Sequence, residues 1–497
     1  MTITSLAFAI FCISSIVFYW LLPARYRLGW LFVISIAFLL TWAWDLAAIL
    51  LVLATVNFFL GRWLGAAENR RHVLLWIGIG FNVLVLVALK YNNFYISALN
   101  DLLVRMGVQV GGNGLKLLLP IGISFGIIQM ISYLVDVNKK ILQPERHWLD
   151  FALYVVYFPK LISGPVEPAR TFLSKIKQPA PLDRLKAEKN FWLIVVGLIR
   201  KLMIADVLLS VIPMDIFLHP DLFLGQELAL YLLAYAFAIY NDFAGYSSIV
   251  RGVSGFFGIE LTNNFKLPYF SRNFTEFWER WHVSLSNWLR DYIFFPLSRT
   301  LLKKVPDREH IVHLLIPPVV TMLVSGLWHG FAWNFILWGG LHGLFLFFDR
   351  LTTFRRPRRP PDEWPKWRQV FSGLIVFGLV VLAWIPFRMD IATGWQYLIR
   401  MFSYHAWEVP HLWLLKAVIS GINDARSWRE FALPDLRVLL VLVPAFLLDW
   451  FQHRYKSEFF TLGWPAWGKS LFLAIIALVL LLLSFADTGT PFIYQGF

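Results

Sequence analysis

The amino-acid sequence predicts an all-α, polytopic membrane protein, and three observations carry that expectation. Of its 497 residues 58% are hydrophobic and only 15% are charged, whereas soluble domains sit nearer half apolar and a quarter charged. Charge-free runs such as "LFVISIAFLLTWAW" and "SLFLAIIALVLLLLSFA" recur from end to end, and ~20 apolar residues suffice to cross ~30 Å of hydrocarbon. The Lys and Arg residues gather in the loops between these runs, as the positive-inside rule requires of cytoplasmic connections. The net charge of +14 is therefore read as loop charge facing anionic lipid, not as a nucleic-acid footprint.

The elements follow in order. The first run, "ITSLAFAIFCISSIVFYWLL", has neither a basic start nor a small-residue cleavage site, so it reads as a retained span. Cys12, inside it, is the sole cysteine, which excludes an intramolecular disulfide and a cysteine-held metal cluster. "ARYR" (24–27) and "RWLGAAENRRH" (62–72) flank a hairpin of spans at roughly 29–45 and 46–61. Placing both basic loops in the cytoplasm puts the N-terminus outside. A span over 73–89 exits; "KYNNFYISALNDLLVRMGVQVGGNG" reads as an external amphipathic segment with a Gly-rich turn; a span over 117–135 returns to "DVNKKILQPERH". "WLDFALYVVYFPKLISGP" (148–165) is short, holds Pro159 and Lys160, and has basic flanks on both sides. A single crossing would break the charge rule, so a re-entrant or in-plane element is expected, a geometry tolerated where backbone lines a cavity. A polar linker (167–190), spans over 191–217 and 227–257, a hairpin over 311–349 ending in "RLTTFRRPRRPPDEWPKWR", and spans near 370–387, 436–451 and 469–486 complete the chain. The expectation is about eleven crossings in one domain, residues 1–497, with no internal repeat and no soluble domain.

"TEFWERWHVSLSNWLRDY" (275–292) is the odd segment, crowding indoles and charges around His282. Read as one helix over 273–292, it has Asn273 as cap with Glu276 completing a capping box. Phe274, Trp278, Trp281, Leu285, Trp288 and Tyr292 then form one apolar stripe. His282 flanks that stripe beside Glu279 at i−3 and Ser286 at i+4. Two readings fit: an interfacial helix anchored by its Trp belt, or a histidine facing a polar cavity, oriented by a carboxylate and poised as a general base.

A second histidine, His329 in "SGLWHGFAWNFILWGGLHG" (325–343), lies in apolar surroundings. An ionisable side chain at membrane depth is a functional candidate; the alternative is a packed histidine bonded to a carbonyl. Gly326 and Gly330 would let a substrate or a neighbouring helix approach closely. His342, thirteen residues on, would fall on the other side of a continuous helix and is not paired with His329. Asp242 in "YNDFAGYSS" either lines a cavity or pairs with an arginine. Gln129 and Asp136 read as helix-packing and loop-edge groups.

In "LPIGISFGIIQMISYLVDV" (119–137), "YFPKLISGPVEPA" (157–169), "YNDFAGYSSI" (240–249), "NNFKLPYFSRNFTEFWERWHVSLSNWLRDYIFFPL" (263–297) and the His329 segment, the chain resembles the membrane-bound O-acyltransferase family, in its bacterial branch of alginate O-acetylation acyltransferases. The core of the likeness spans 119–349. Ala244 and Ser248 stand where the family pattern commonly has Ser and Asp, and the C-terminal "PFIYQGF" is only close to the usual ending. The resemblance implies a ring of helices around a thin partition pierced by a tunnel. It also implies that His329 is the membrane-buried catalytic histidine and His282 its companion in the Trp-rich helix.

The implied chemistry is transfer of an acyl group, acetyl first among the choices, from a thioester to a hydroxyl, with His329 as general base. His282, Asn334 and the indole N–H groups, Trp281 and Trp328 among them, are candidate donors to the oxyanion. Asp242, Glu279 and Ser286 are candidate lining groups. Lys160, Arg272 and Arg280 either attract donor phosphates or are topology charges. No bound cofactor or metal is expected; the donor is a co-substrate, acetyl-CoA or an acyl carrier protein, at the cytoplasmic face of a bacterial inner membrane. The acceptor is an exported polysaccharide or a periplasmic acetyltransferase partner. D-alanylation of teichoic acid from a carrier protein is the alternative within the class, and a proton-coupled transporter the alternative outside it. A transporter calls for inverted halves with paired broken helices, which the sequence lacks. A di-metal oxidase needs clustered ligands, whereas these eleven histidines are scattered.

Overall fold

The computed structural model describes residues 1–67, 69–90, 105–106, 122–307, 310–352, 354, 360–403 and 433–484. Among these the regular secondary structure is entirely helical. The chain divides into two units, Met1–Asn190 with Val250–Thr262, and Phe191–Ile249 with Asn263–Phe497. Five described helices are long and apolar enough to cross a membrane by themselves: Trp44–Ala66, Arg71–Lys90, Gly225–Phe256, Ile311–His329 and Lys366–Arg388. The protein is a multi-pass membrane protein.

The first unit begins with α1 (Leu6–Leu21), capped by Ser5, whose hydroxyl accepts the Phe8 N–H at 3.2 Å. Pro23 separates α1 from α2 (Ala24–Leu40), and a short break leads into α3 (Trp44–Ala66) and then α4 (Arg71–Lys90). Between α3 and α4 the buried amides of Asn57 and Asn82 exchange hydrogen bonds of 3.1 and 2.8 Å, which satisfies two polar groups that would be costly unpaired in an apolar interior. The expected external segment over 90–114 lies, apart from Lys90 and residues 105–106, outside the described residues, as do the start of the 117–135 span, much of the "RRPRRPP" run and the C-terminal "PFIYQGF". The remainder of that span is α5 (Ile123–Asn138).

The segment expected to be too short to cross is broken. It forms α6 (Trp148–Val156) and the one-turn α7 (Phe158–Leu161), meeting at Tyr157. Nine helical residues reach only ~14 Å. Its backbone is buried in protein, and its polar groups find partners there. Phe158 N–H donates to Ser35 Oγ at 3.2 Å, and the Tyr154 hydroxyl reaches the carbonyls of Gln129 and Glu167 at 3.2 and 3.1 Å. Lys160, read as either a group that attracts donor phosphates or a topology charge, is instead buried. Its ammonium donates to the Gln129 side chain and lies 4.4 and 4.8 Å from the ring centres of Tyr154 and Phe172. The unit continues with α8 (Ala169–Lys177) and the first turns of α9 (Arg184–Leu198).

In the second unit α9 runs through a π-helical turn, Ile199–Ala205, into α10 (Asp206–Val211), and is followed by α11 (Gly225–Phe256), which belongs to this unit as far as Ile249. At Gly197 and Gly245 the two helices touch backbone to backbone; a Cβ on either would fall 2.8 Å from the other's carbonyl oxygen. Small residues permit such an approach, and it brings two cations against two polar side chains of α11. Arg200 bonds Asn241 at 2.7 Å, Asp449 at 2.5 Å and Gln452 at 2.9 Å. Lys201 lies 2.7 Å from both Asp206 and Asp242. The partner of Asp242 is thus a lysine, forty-one positions away, where the sequence offered a cavity or an arginine. Each of these charges is buried and is tolerated because it is paired.

The unit is completed by α12 (Phe274–Arg280), α13 (Val283–Leu289), α14 (Phe295–Lys304), α15 (Ile311–His329), α16 (Trp333–Thr352), α17 (Lys366–Arg388), α18 (Ile391–Phe402), α19 (Leu433–Tyr455) and α20 (Ala466–Ser484). The α15–α16 hairpin is closed by glycine: a Cβ at Gly326 would strike the Phe335 carbonyl oxygen at 2.2 Å, and one at Gly339 that of Met322 at 2.3 Å. Helix α18 was not anticipated; Asp390 starts it by accepting the N–H groups of Ala392 and Thr393.

Candidate active site

His329 is the last residue of α15. Gly330 behind it is extended, with φ −168° and ψ 157°, and the chain bends before α16 begins at Trp333. The hairpin expected over 311–349 is present, and its turn falls between His329 and Trp333, so His329 and His342, placed above on one continuous helix, sit on two helices folded back on each other. That corrects the placement of His342. Both imidazoles pack on Trp338, with ring centres 5.0 Å away for His329 and 4.9 Å for His342. Trp328 at 4.9 Å and Phe387 at 5.5 Å complete the aromatic wall around His329.

One hydrogen bond fixes what His329 can do. Its Nδ1 lies 2.7 Å from the Ser325 carbonyl oxygen. A carbonyl only accepts, so Nδ1 carries the proton and the neutral ring keeps its lone pair on Nε2. The packed reading and the functional reading thus share one feature, since the carbonyl bond that holds the ring also sets a basic tautomer.

His282 is arranged otherwise. The expected helix over 273–292 is interrupted: α12 ends at Arg280, and His282 takes the left-handed conformation, φ 43° and ψ 52°, as the cap of α13. For a residue with a Cβ that conformation costs roughly 1–2 kcal/mol and must be held by its surroundings. Residues 264–266 hold it. Val283 N–H donates to the Asn264 carbonyl at 3.0 Å, Ser284 N–H to Asn264 Oδ1 at 3.1 Å, and Lys266 N–H to the Arg280 carbonyl at 3.0 Å. The His282 Nδ1 accepts the Leu285 N–H at 3.3 Å, so here Nε2 bears the proton. The ring is buried edge-on to Phe243, centres 4.8 Å apart, and burial pushes the imidazole down to about 3.

The break also alters the predicted neighbours. Glu279 is exposed to solvent, and the Ser286 hydroxyl donates to the Trp281 carbonyl at 3.0 Å; no carboxylate one turn away orients His282 as the helical spacing had suggested. Asn273 does cap α12, accepting the Glu276 N–H at 2.7 Å, but Glu276 reaches back to the N–H of Arg272 instead of that of Asn273. The same carboxylate holds Arg272 at 2.8 Å and Arg280 at 2.5 Å. Of the stripe, Phe274, Trp278, Trp281, Leu285 and Trp288 are buried as expected. Asn334 is half-buried in the first turn of α16.

A continuous series of ring contacts joins the two histidines. From His329 it passes to Trp338 at 5.0 Å, Trp384 at 6.4 Å, Trp281 at 5.1 Å, Phe265 at 5.1 Å and His282 at 6.5 Å. Along it lie polar atoms that are buried without a hydrogen-bond partner among the described residues: the indole nitrogens of Trp278, Trp338 and Trp384, Nδ1 of His342 and Oγ of Ser325. Such atoms are rare in folded proteins, and five of them along one aromatic series are the groups to which a polar guest would bond. Trp338, Trp384 and His342 were missed in the sequence. Trp338 and His342 became visible only once the chain was seen to turn at Gly330, and nothing in the α17 run singles out Trp384.

The chain matches the model of the membrane-bound O-acyltransferase family over residues 145–389. It is 34% identical over 403 residues to a probable alginate O-acetylase of Azotobacter vinelandii, covering 79% of this chain and 76% of the relative. It is 27% identical over 501 residues to a peptidoglycan O-acetyltransferase of Helicobacter pylori, covering 94% and 91%. A teichoic acid D-alanyltransferase of Streptococcus thermophilus is 27% identical over 320 residues, covering 61% of this chain and 76% of that one.

Proposed function

Because the chain belongs to the membrane-bound O-acyltransferase family and is an O-acyltransferase, we propose that it transfers acetyl from a thioester donor to a hydroxyl, with His329 as the general base. The acceptor in this reading is an exported polysaccharide or a periplasmic relay partner, as the activities of the alginate O-acetylase and peptidoglycan O-acetyltransferase relatives suggest. The donor arrives from the cytoplasm, the chain sits in a bacterial inner membrane with its N-terminus outside, and both reactants reach His329 from opposite faces. The D-alanyl alternative ranks below it, since relatives with that activity match 61% and 54% of the chain.

The observation that carries the reading is the opposite hydrogen bonding of the two imidazoles. His329 has its lone pair on Nε2, the form that takes the proton of an attacking hydroxyl. His282, neutral with its proton on Nε2, is in the form that donates to the oxyanion of the tetrahedral intermediate. In the proposed step the acceptor oxygen bonds to the thioester carbon as His329 removes its proton. The intermediate then collapses, breaking the carbon–sulfur bond, and the proton leaves with the thiol. The test is consumption of radiolabelled acetyl-CoA by the purified chain in nanodiscs. Loss of consumption in His329→Ala is expected, and wild-type consumption in that variant would remove His329 from the mechanism.

A further inference from the structure

The second unit contains a cavity of about 1400 Å³ whose lining includes neither histidine of the candidate site. Its lining is graded. Along α19, Leu442, Val443 and Phe446 give way to Gln452, His453 and Lys456. Along α17 the order is reversed, from Gln369 to Val370, Leu374 and Phe377. The polar ends meet: Arg272 bonds both Asp362 at 2.7 Å and Gln369 at 3.1 Å, and Asp362 is held below the usual carboxylate range by Arg272 first, with Arg280 and Lys456 adding to it. The cavity is thus an apolar trough with a charged mouth.

Positive charge predominates at that mouth by a single charge: Lys266, Arg272, Arg280 and Lys456 stand against Glu276, Asp362 and Glu458, the last a lining carboxylate that accepts from Asn263 at 3.2 Å, while Arg200 and Asp449 pair with each other. Arg272 and Arg280 share Glu276, and Arg272 also holds Asp362. Lys266 and Lys456, both exposed, enter no ion pair among the described residues. Lys456 is fixed at the rim by the way α19 ends. It turns left-handed, φ 49°, with its N–H on the His453 carbonyl at 3.3 Å and the Ser457 N–H on that of Gln452 at 3.2 Å. From Leu442 to Lys456 the helix rises about 21 Å, which matches one leaflet of a bilayer, headgroup included.

We propose that this cavity is a site for an anionic glycerophospholipid drawn from the bilayer, with its phosphate between Lys266 and Lys456 and an acyl chain in the trough along Phe446, Leu374 and Phe377. A zwitterionic headgroup would bring a positive charge of its own to a mouth that already has a surplus. The bound lipid would brace the left-handed turn at His282. Lys266 is tied through its backbone to Arg280, and Tyr269, another wall residue, lies 6.3 Å from Trp281. The site does not depend on the acyl-transfer reading.

The experiment is native mass spectrometry of the full, delipidated chain titrated with phosphatidylglycerol, phosphatidylcholine, glycerol phosphate and palmitoyl-CoA. Phosphatidylglycerol should be retained at least about tenfold more tightly than phosphatidylcholine, and glycerol phosphate alone not at all. Lys266→Gln with Lys456→Gln should weaken phosphatidylglycerol about twenty-five-fold, about fivefold per lysine near an anionic surface, and weaken phosphatidylcholine, whose ammonium offsets its phosphate, by less. Gly373→Leu, where a Cβ meets only the Ser271 carbonyl oxygen at 3.7 Å, fills the trough and should weaken both lipids. Should that variant not fold, the exposed lysines still decide the matter. Equal retention of the two lipids, no effect of the double lysine substitution, or preference for palmitoyl-CoA over phosphatidylglycerol each overturns the proposal.

Discussion

The hairpin that ends in His329 and the kinked pair of helices that carries His282 use the same side chain in opposite ways. In the first, a regular helix offers its own Ser325 carbonyl to Nδ1. In the second, a left-handed residue caps a new helix and receives the Leu285 N–H at the same atom. Identical rings therefore present opposite Nε2 chemistry, one a lone pair and one a proton. The backbone around an imidazole, and not the imidazole, assigns its role.

The sharpest way to break that contrast is His329→Ala, for which a loss of transfer of about 10³-fold is expected, as for a missing general base, measured as thioester turnover. His282→Ala should cost about 10²-fold, the scale of one oxyanion donor. His282→Asn should recover part of this loss, because Asn tolerates the left-handed backbone and supplies an N–H; equal loss in both variants would argue against a donor role. Trp338→Phe keeps the ring between His329 and His342 but removes an N–H, and a fall of about tenfold is expected if that group binds the guest. Stability should show the burial of His282. The unfolded chain binds a proton near the ordinary value of ~6.5, while the folded ring, pushed down to about 3, does not. Stability is then full above about pH 6.5 and declines as the pH falls from there towards 3. Melting temperatures between pH 7 and 4 should fall less steeply for His282→Gln than for wild type. The smallest effect belongs to Glu279→Gln, with turnover within about twofold, as for an exposed charge; a large loss would restore the carboxylate that the broken helix took from His282.

Much of this was legible before any coordinates. Apolar runs located the long helices, Asn273 announced the start of α12, and the charge rule flagged residues 148–165 as something other than a crossing. The two breaks at the site were harder to read. At His282 the apolar stripe continues across the kink without Gly or Pro, because one left-handed residue displaces the axis while keeping the buried face, and the force that imposes it comes from Asn264, far back in sequence. At Gly330 a single glycine in an apolar stretch is compatible with either a helix or a turn. Asp242 found its lysine because two glycines, Gly197 and Gly245, let two helices meet, which no local pattern discloses.

The bond between Arg200 and Asp449 has a consequence for biosynthesis. A ribosome that has made the first of these residues must add 249 more positions before the second exists. Throughout that interval the growing chain holds a guanidinium, buried in the finished protein, whose eventual counter-ion is still unmade. The late segment is therefore a neutralising piece without which the early one is poorly suited to its place, and a nascent chain arrested before it should be a ready target for membrane quality control.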